Sequence, residues 1–294
     1  MNDVPPLLGI VIEPKIPGDR DRLACALRKL VAEDPSLHVV AEAGSHRAII
    51  QGTGELKLQT KIDLLRHVHK IDVSAGAPQV LYRETITRAA TVDYTHKRQM
   101  GGTGQYARIR IIAEPMPRGA GFTFENKIAG DSVLKAFVPA IEKGLESALA
   151  AGVLAGFMVV DLKVTLVDGA SHDVDSSALA FEIAARAALR EALMKAGPVL
   201  LEPIMRLEVT TPADDVASVI GDLNFRRAHI ESQDVRDDTT VIRALVPLAT
   251  MLGYVNALRS LAGGRAIFAR WFSHYAPVPP DDDGPLRPAI GMRA

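Results

Sequence analysis

The order of apolar patches at the two ends of the chain constrains its fold more than any single motif does. From Leu7 the sequence runs LLGIVIE, DRDRLACALRKLVAED, LHVVAE, HRAIIQG, GELKLQTKIDLLRHVH and IDVSA. Leu23, Leu27 and Leu30 recur at helical spacing with charges on the opposite face, and the two apolar runs after Pro35 are too short for helices. The order is βαββαβ. It returns near the other end, up to Phe272, as LEVTT, TPADDVASVIGDL, AHIESQDV, TTVIRALVP, LATMLGYVNALRSLAGG and RAIFARWF. Thr211 before Pro212, with acids at Asp214 and Asp215, marks a helix start, and Gly263-Gly264 marks a stop. Residues 7–75 and 204–272 are therefore expected to be two copies of one split βαβ topology.

The middle of the chain differs. YRETITRAATV and YARIRIIAE have strand character and flank a glycine-rich loop, and SVLKAFVPAIEKGLESALAAG follows as a helix ending at Gly152. FMVVDLKVTLV then alternates as a half-buried strand, and SALAFEIAARAALREALMKAG is a long alanine-rich helix closed by Gly197-Pro198. Between that strand and that helix lies HDVDSS, residues 172–177. Ala75-Gly76-Ala77-Pro78 and Gly197-Pro198 punctuate the chain where domain boundaries are expected. The proline-rich, acidic end, APVPPDDDGPLRPAIGMRA, is expected to be disordered.

A length of 294 residues with 48% hydrophobic content suffices for two or three packed domains. The net charge of −1 supplies no overall basic field, so any binding to nucleic acid has to be local. Cys25 is the only cysteine, which excludes an internal disulfide and a cysteine-based zinc cluster and suits a reducing, cytoplasmic compartment. Neither a signal peptide nor a membrane-spanning run is legible.

HDVDSS admits three readings. A metal site would use His172 with Asp173 or Asp175, but needs further ligands that the other histidines do not supply. A hydrolytic site needs a nucleophile, a base and an oxyanion hole. A helix start needs only side-chain oxygens for orphan backbone donors, which makes Asp175 or Ser176 the expected cap and leaves His172 unexplained. The second candidate, HKRQMGGTGQYARIRI at 96–111, reads either as a flexible basic loop that contacts RNA or as a plain hairpin loop with a solvated face. His96, Lys97, Arg98, Gln99, Gln105, Arg108 and Arg110 give it polar reach suited to phosphates and to the 2′-hydroxyls of RNA. GTGELKLQT at 52–60 has no Gly-Lys-Ser/Thr ending and reads as a strand-to-helix turn with Glu55 in the first helical turn.

The colinear series IEPK (12–15), RLACALRKLVAEDPS (22–36), GTGELKL (52–58), PQVLYRETI (78–86), GGTGQY (101–106), HDVDSSALAF (172–181), PVLLEPIM (198–205), IGDL (220–223) and LRSLAGGRA (258–266) resembles the C-terminal three domains of bacterial elongation factor G, a translational GTPase family. The resemblance implies an α+β chain in which two ferredoxin-like split βαβ domains, 1–77 and 201–275, flank a finger-like domain at 78–200. That middle domain is similar to ribosomal protein S5, with a left-handed βαβ crossover, and residues 276–294 form the tail. It implies ribosome binding, with the tip of the middle domain entering the decoding site during tRNA–mRNA translocation. His172, Asp173, Gln99, Gly101, Gly102 and Gln105 are then RNA-contact residues, Lys97 and Arg98 a supporting basic loop, and Asp175 and Ser176 the helix cap.

No catalytic residue, metal site or cofactor site is expected in this part. GTP and magnesium belong to an N-terminal GTP-binding domain expected before Leu7, so the chain is read as a fragment of a GTPase. The partners implied are the ribosome, through its RNA and the tRNA–mRNA pair, and that missing domain, with no membrane. Thr103, Ser171, Val153 and Ala228 stand where the family commonly has arginine, an aromatic residue, proline and glycine. These departures suggest a paralogue, whose role could be recycling or ribosome protection; a metal-dependent hydrolase using His172, Asp173 and Asp175 is the remote rival. The isolated chain is expected neither to bind nor to hydrolyse GTP. Titration with a fluorescent GTP analogue checks this, and saturable binding with magnesium-dependent turnover would contradict it.

Overall fold

The computed structural model describes residues 4–41, 46–100, 103–128, 135–172 and 174–279. The chain forms two compact units, one from residues up to Leu81 together with Pro203–His274, the other from Tyr82–Glu202 and the residues from Tyr275 on.

In the first unit, β1 (Leu8–Pro14), α1 (Arg20–Glu33), β2 (His38–Ala41), β3 (Ala48–Gly52), α2 (Glu55–His67) and β4 (Val73–Ala75) follow in the expected order. The sheet order is β2-β3-β1-β4, and a short β5 (Gln79–Val80) adds to β1. Leu8, Ile10 and Ile12 of β1 are buried, as are Leu23, Ala26, Leu27 and Leu30 of α1 and Leu58, Ile62 and Leu65 of α2. The helical faces are those the spacing of leucines marks out. Gly54 precedes α2 and Glu55 opens its first turn, as the turn reading expects. Beyond α1, Asp34 accepts from Ser36 and meets Lys57 and Lys61 of α2 at 3.1 and 3.2 Å. The Ser36 hydrogen bond first, and then the two lysines, hold the Asp34 carboxyl well below the usual carboxylate range.

The second unit is built from β6 (Arg83–Ile86), β7 (Ala90–Met100), β8 (Thr103–Pro115), β9 (Phe122–Asn126), α3 (Val138–Ala151), β10 (Leu162–Ala170) and α4 (Ala178–Lys195). Its sheet order is β7-β8-β10-β9, with β10 antiparallel to β8 and parallel to β9 across α3. The alanines of α4 explain its packing. Ala180, Ala184, Ala185, Ala188 and Ala192 are fully buried beside Phe181, Leu189 and Leu193. Each of the large three contributes about 1.5–3 kcal/mol by burial, whereas the alanines set how closely neighbouring elements approach. At Gly144 of α3 an added Cβ would collide with the Glu182 carbonyl oxygen, so that helix pair requires a bare backbone there.

Glu84 organises the connection from α3 to β10. It is 1% exposed, and its carboxylate accepts backbone N–H groups from Val153 (2.6 Å), Leu154 (3.0 Å), Ala155 (2.9 Å) and Phe157 (3.1 Å). The turn begins at Gly152, whose φ of 58° lies where glycine is favoured. FMVVDLKVTLV is consequently shorter as a strand than its alternation suggests: β10 starts at Leu162, and Val159 makes only an isolated bridge to Glu84.

β11 (Pro198–Pro212) first pairs with β6 in the second unit and later with β13 in the first. α5 (Val216–Phe225), β12 (His229–Arg236), β13 (Thr239–Pro247), α6 (Tyr254–Leu261) and β14 (Ile267–Pro277) complete the chain. The sheet order β12-β13-β11-β14 repeats that of β2-β3-β1-β4, so the two βαββαβ segments share one topology and the chain is α+β.

Two local expectations are corrected. Thr211 does not start a helix: it is fully buried, in register with Thr240, and a 3-10 turn at Ala213–Asp215 leads into α5. LATMLGYVNALRSLAGG is a 3-10 turn, Leu248–Met251, and a separate α6, because Gly253 at φ 73° interrupts it. α6 does stop before Gly263-Gly264. Of the expected tail from 276, Ala276 and Pro277 end β14 and the Val278 N–H donates to the Leu200 carbonyl, while 280–294 lie outside the described residues. Among the described residues no helix is long and apolar enough to cross a membrane.

Glutamine at position 84 would keep one acceptor oxygen and turn an amide toward backbone donors. Glu84→Gln is therefore expected to cost about 3 kcal/mol, the penalty of leaving buried groups unpaired. A lower urea midpoint with an unchanged slope is the expected reading.

Candidate nucleic-acid interface

The glycine-rich stretch sits at the end of a long hairpin. β7 and β8 pair without a break from Ala90↔Ala113 to Met100↔Thr103, with Lys97 opposite Tyr106, Arg98 opposite Gln105 and Gln99 opposite Gly104. His96, Lys97, Arg98, Gln99 and Gln105 thus stand on paired strands. The basic loop expected for Lys97 and Arg98 is corrected to paired residues of β7, because backbone pairing continues beyond them to Met100↔Thr103. Lys97, Arg98 and Gln99 are exposed. Gly101, Gly102 and Asp173 lie outside the described residues.

The connection from β10 to α4 folds against this hairpin through backbone and hydroxyl bonds. The Tyr106 N–H donates to the Asp175 carbonyl at 2.8 Å, and the Ser176 hydroxyl donates to the Tyr106 carbonyl at 2.7 Å. The same hydroxyl accepts the His172 N–H at 2.8 Å, while the Ser176 N–H donates to the His172 carbonyl at 3.1 Å. The two stretches singled out in the sequence therefore meet at one end of the second unit. Arg98, Gly104, Gln105 and residues 174–177 line a cleft of about 260 Å3 between them.

The helix cap is Ser177, in place of Asp175 or Ser176. Its backbone is extended (φ −146°, ψ 160°) and its hydroxyl accepts the Ala180 N–H at 3.2 Å, the geometry of a residue just outside a helix that starts at Ala178. Ser176 is unavailable because its hydroxyl is used between Tyr106 and His172. Asp175 turns its carboxylate to the hairpin: a Cβ built on Gly104 would meet Asp175 Oδ1 at 2.5 Å.

His172 is exposed, with 59% of its side chain accessible. Its Nδ1 lies 3.4 Å from the Asp175 carboxylate and 3.4 Å from the Val174 N–H, and its ring meets Tyr106 edge-on at 6.4 Å. Gln105, one of the residues assigned to RNA contact, is half-buried, and its side-chain oxygen lies 3.0 Å from His96 Nε2. Arg108 is not available as a free cation. It makes a two-bonded contact with Asp93 and a 3.3 Å contact with Asp168, and the Asp93 bond raises its pKa. Among the described residues Lys97 and Arg98 show no ion pair, and no group of three or more histidine, cysteine or acidic residues could hold a metal.

Sequence reasoning missed Tyr106, which joins both stretches through its backbone, and Ser177. A serine directly before an apolar helical run was a signal for the latter. Ser177→Ala should lower stability by about 1 kcal/mol, and Asp175→Ala by about 0.5 kcal/mol or less. Chemical unfolding of the two variants side by side checks the assignment.

Family models match the chain in succession: elongation factor G domain III at residues 4–77, elongation factor G domain IV at 78–197 and the elongation factor G C-terminus at 199–283. The chain is 57% identical over 274 residues to elongation factor G of Rhodopseudomonas palustris (strain BisB18), covering 93% of the chain and 40% of that protein. A solved structure from Thermus thermophilus is 40% identical, with a TM-score of 0.71 over 94% of this chain and 41% of that one. The chain thus spans about 40% of the length of these relatives. Matched along nearly all its described length by consecutive models of one protein, the chain belongs to the elongation factor G family.

Proposed function

We propose that this chain is the ribosome-binding C-terminal part of an elongation factor G-type translation factor. Three domains, 1–77, 78–200 and 201–275, couple GTP hydrolysis in an N-terminal domain to movement of the tRNA–mRNA pair. The middle domain acts as a wedge whose tip occupies space beside the codon–anticodon helix and disfavours return of the tRNA. His172, Asp173, Gln99, Gly101, Gly102 and Gln105 are the RNA-contact residues of this reading, and Lys97 and Arg98 face phosphates. GTP and magnesium serve the N-terminal domain; this part supplies shape and hydrogen bonds, with no reacting side chain.

The observation that carries this reading is the joining of the two stretches at one end of the second unit, where His172, Lys97, Arg98 and Gln99 are all exposed. A contact surface needs that arrangement, whereas a hydrolytic or metal centre needs converging, shielded ligands.

The test uses a complete factor in which this chain follows the N-terminal domains of the Rhodopseudomonas palustris relative. His172→Ala should slow single-turnover tRNA movement about tenfold, the value of one hydrogen bond formed in the rate-limiting state, and leave ribosome-stimulated GTP hydrolysis unchanged. Unaltered movement, or a factor that separates ribosomal subunits without moving tRNA, would overturn the translocation reading.

A further inference from the structure

We propose that Ser176 is a positioning residue, whose hydroxyl sets where the His172 imidazole stands relative to the hairpin tip; this rests on the contact reading above. The imidazole does little to place itself. Its ring makes only 3.4 Å polar contacts and an edge-on approach to Tyr106, and most of it is exposed. The backbone of His172, in contrast, is held at both of its polar groups by one residue: the Ser176 hydroxyl accepts its N–H, and the Ser176 N–H donates to its carbonyl. The hydroxyl's single proton goes to the Tyr106 carbonyl on β8. One side chain therefore spends its donor on the hairpin and an acceptor site on His172, and links two stretches 70 residues apart.

The neighbouring contacts make this link specific. Tyr106 returns a backbone hydrogen bond to Asp175, so the attachment on β8 is two-point and fixes rotation as well as distance. Gly104 leaves the space into which the Asp175 carboxylate settles, and no side chain stands between the strand and the connection there. Alanine at 176 removes the hydroxyl's two bonds at once while the backbone bonds remain. The connection then stays near the hairpin, but the His172 N–H loses its partner and the imidazole samples a wider arc. A contact residue that must meet RNA in one orientation loses rate under such freedom, since the ordering has to be supplied during the reaction.

The test applies Ser176→Ala, Ser176→Thr, His172→Ala and the double variant Ser176→Ala/His172→Ala to the same complete factor. Ser176→Ala is expected to slow tRNA movement nearly as much as His172→Ala, with ribosome-stimulated GTP hydrolysis unchanged. The double variant should be no slower than His172→Ala alone, because the hydroxyl acts through the imidazole. Ser176→Thr, which keeps the hydroxyl, should restore the parent rate to within about twofold, the spread of a conservative surface change. Hydrogen exchange at the His172 amide should quicken in Ser176→Ala and not in Ser176→Thr, a readout that remains available if alanine loosens the domain. Parent-like movement in Ser176→Ala while His172→Ala is slow would overturn the positioning role and leave the contact reading intact. Multiplying losses in the double variant would also overturn it. Parent-like movement in His172→Ala overturns the contact reading itself.

Discussion

The carboxylate of Glu84 is the interaction on which the second unit most depends. A buried carboxylate is costly unless its oxygens are filled, and here four N–H groups of one turn fill them. The benefit is geometric. The segment after α3 has to reverse and enter β10 parallel to β9, and its N–H groups would otherwise be unpaired inside the domain. Strand β6 brings the acceptor to that turn, and the Val160 N–H then donates to the Glu84 carbonyl, so one residue closes the turn with both its side chain and its backbone. The Val153 N–H makes the shortest of the four bonds, one that a proline could not donate.

From that turn the placement of the hairpin follows by packing. β10 pairs with β8 from Leu162↔Pro115 to Ala170↔Arg108, and α4 lies against β7 and β8 with its alanine row fully buried. Because both the end of β10 and the start of α4 are set by the core, the described residues of the seven-residue connection between them lie against β8 near the hairpin end. Tyr106 is where they attach. The geometry of this end is thus a by-product of the core, and His172, Asp175 and Ser176 need only choose among positions already allowed.

How much of this was legible in the sequence depends on the range of the interaction. The two βαββαβ segments were readable because amphipathic periodicity is a property of neighbouring residues. The cap was misplaced by one or two residues since Asp175, Ser176 and Ser177 all suit a helix start, and only the third dimension engages Ser176 elsewhere. Lys97 and Arg98 looked like loop residues because glycine at 101, 102 and 104 suggested an open stretch, yet strand pairing persists to Met100↔Thr103. Arg108 looked available because Asp168 is 60 residues away and becomes its neighbour only through β8–β10 pairing. The role of Tyr106 is carried by its N–H and carbonyl, which every residue but proline possesses, so no side-chain pattern could announce it.

The electrostatics favour a local and short-ranged grip. The chain carries a net charge of −1, and Arg108 of the hairpin is already matched by Asp93 and Asp168. Lys97 and Arg98 therefore act against a nearly neutral background, and at physiological ionic strength their reach into solvent is about 8 Å. On the proposed reading, such a tip cannot gather RNA from a distance; it has to be delivered by binding elsewhere and then judged by fit. On the same reading, Ser171 sharpens that dependence, since it offers a hydroxyl where the resemblance implies a stacking surface. Hydroxyls contribute through directed hydrogen bonds, so the rate of this factor should respond more to how rigidly its tip is held than to salt.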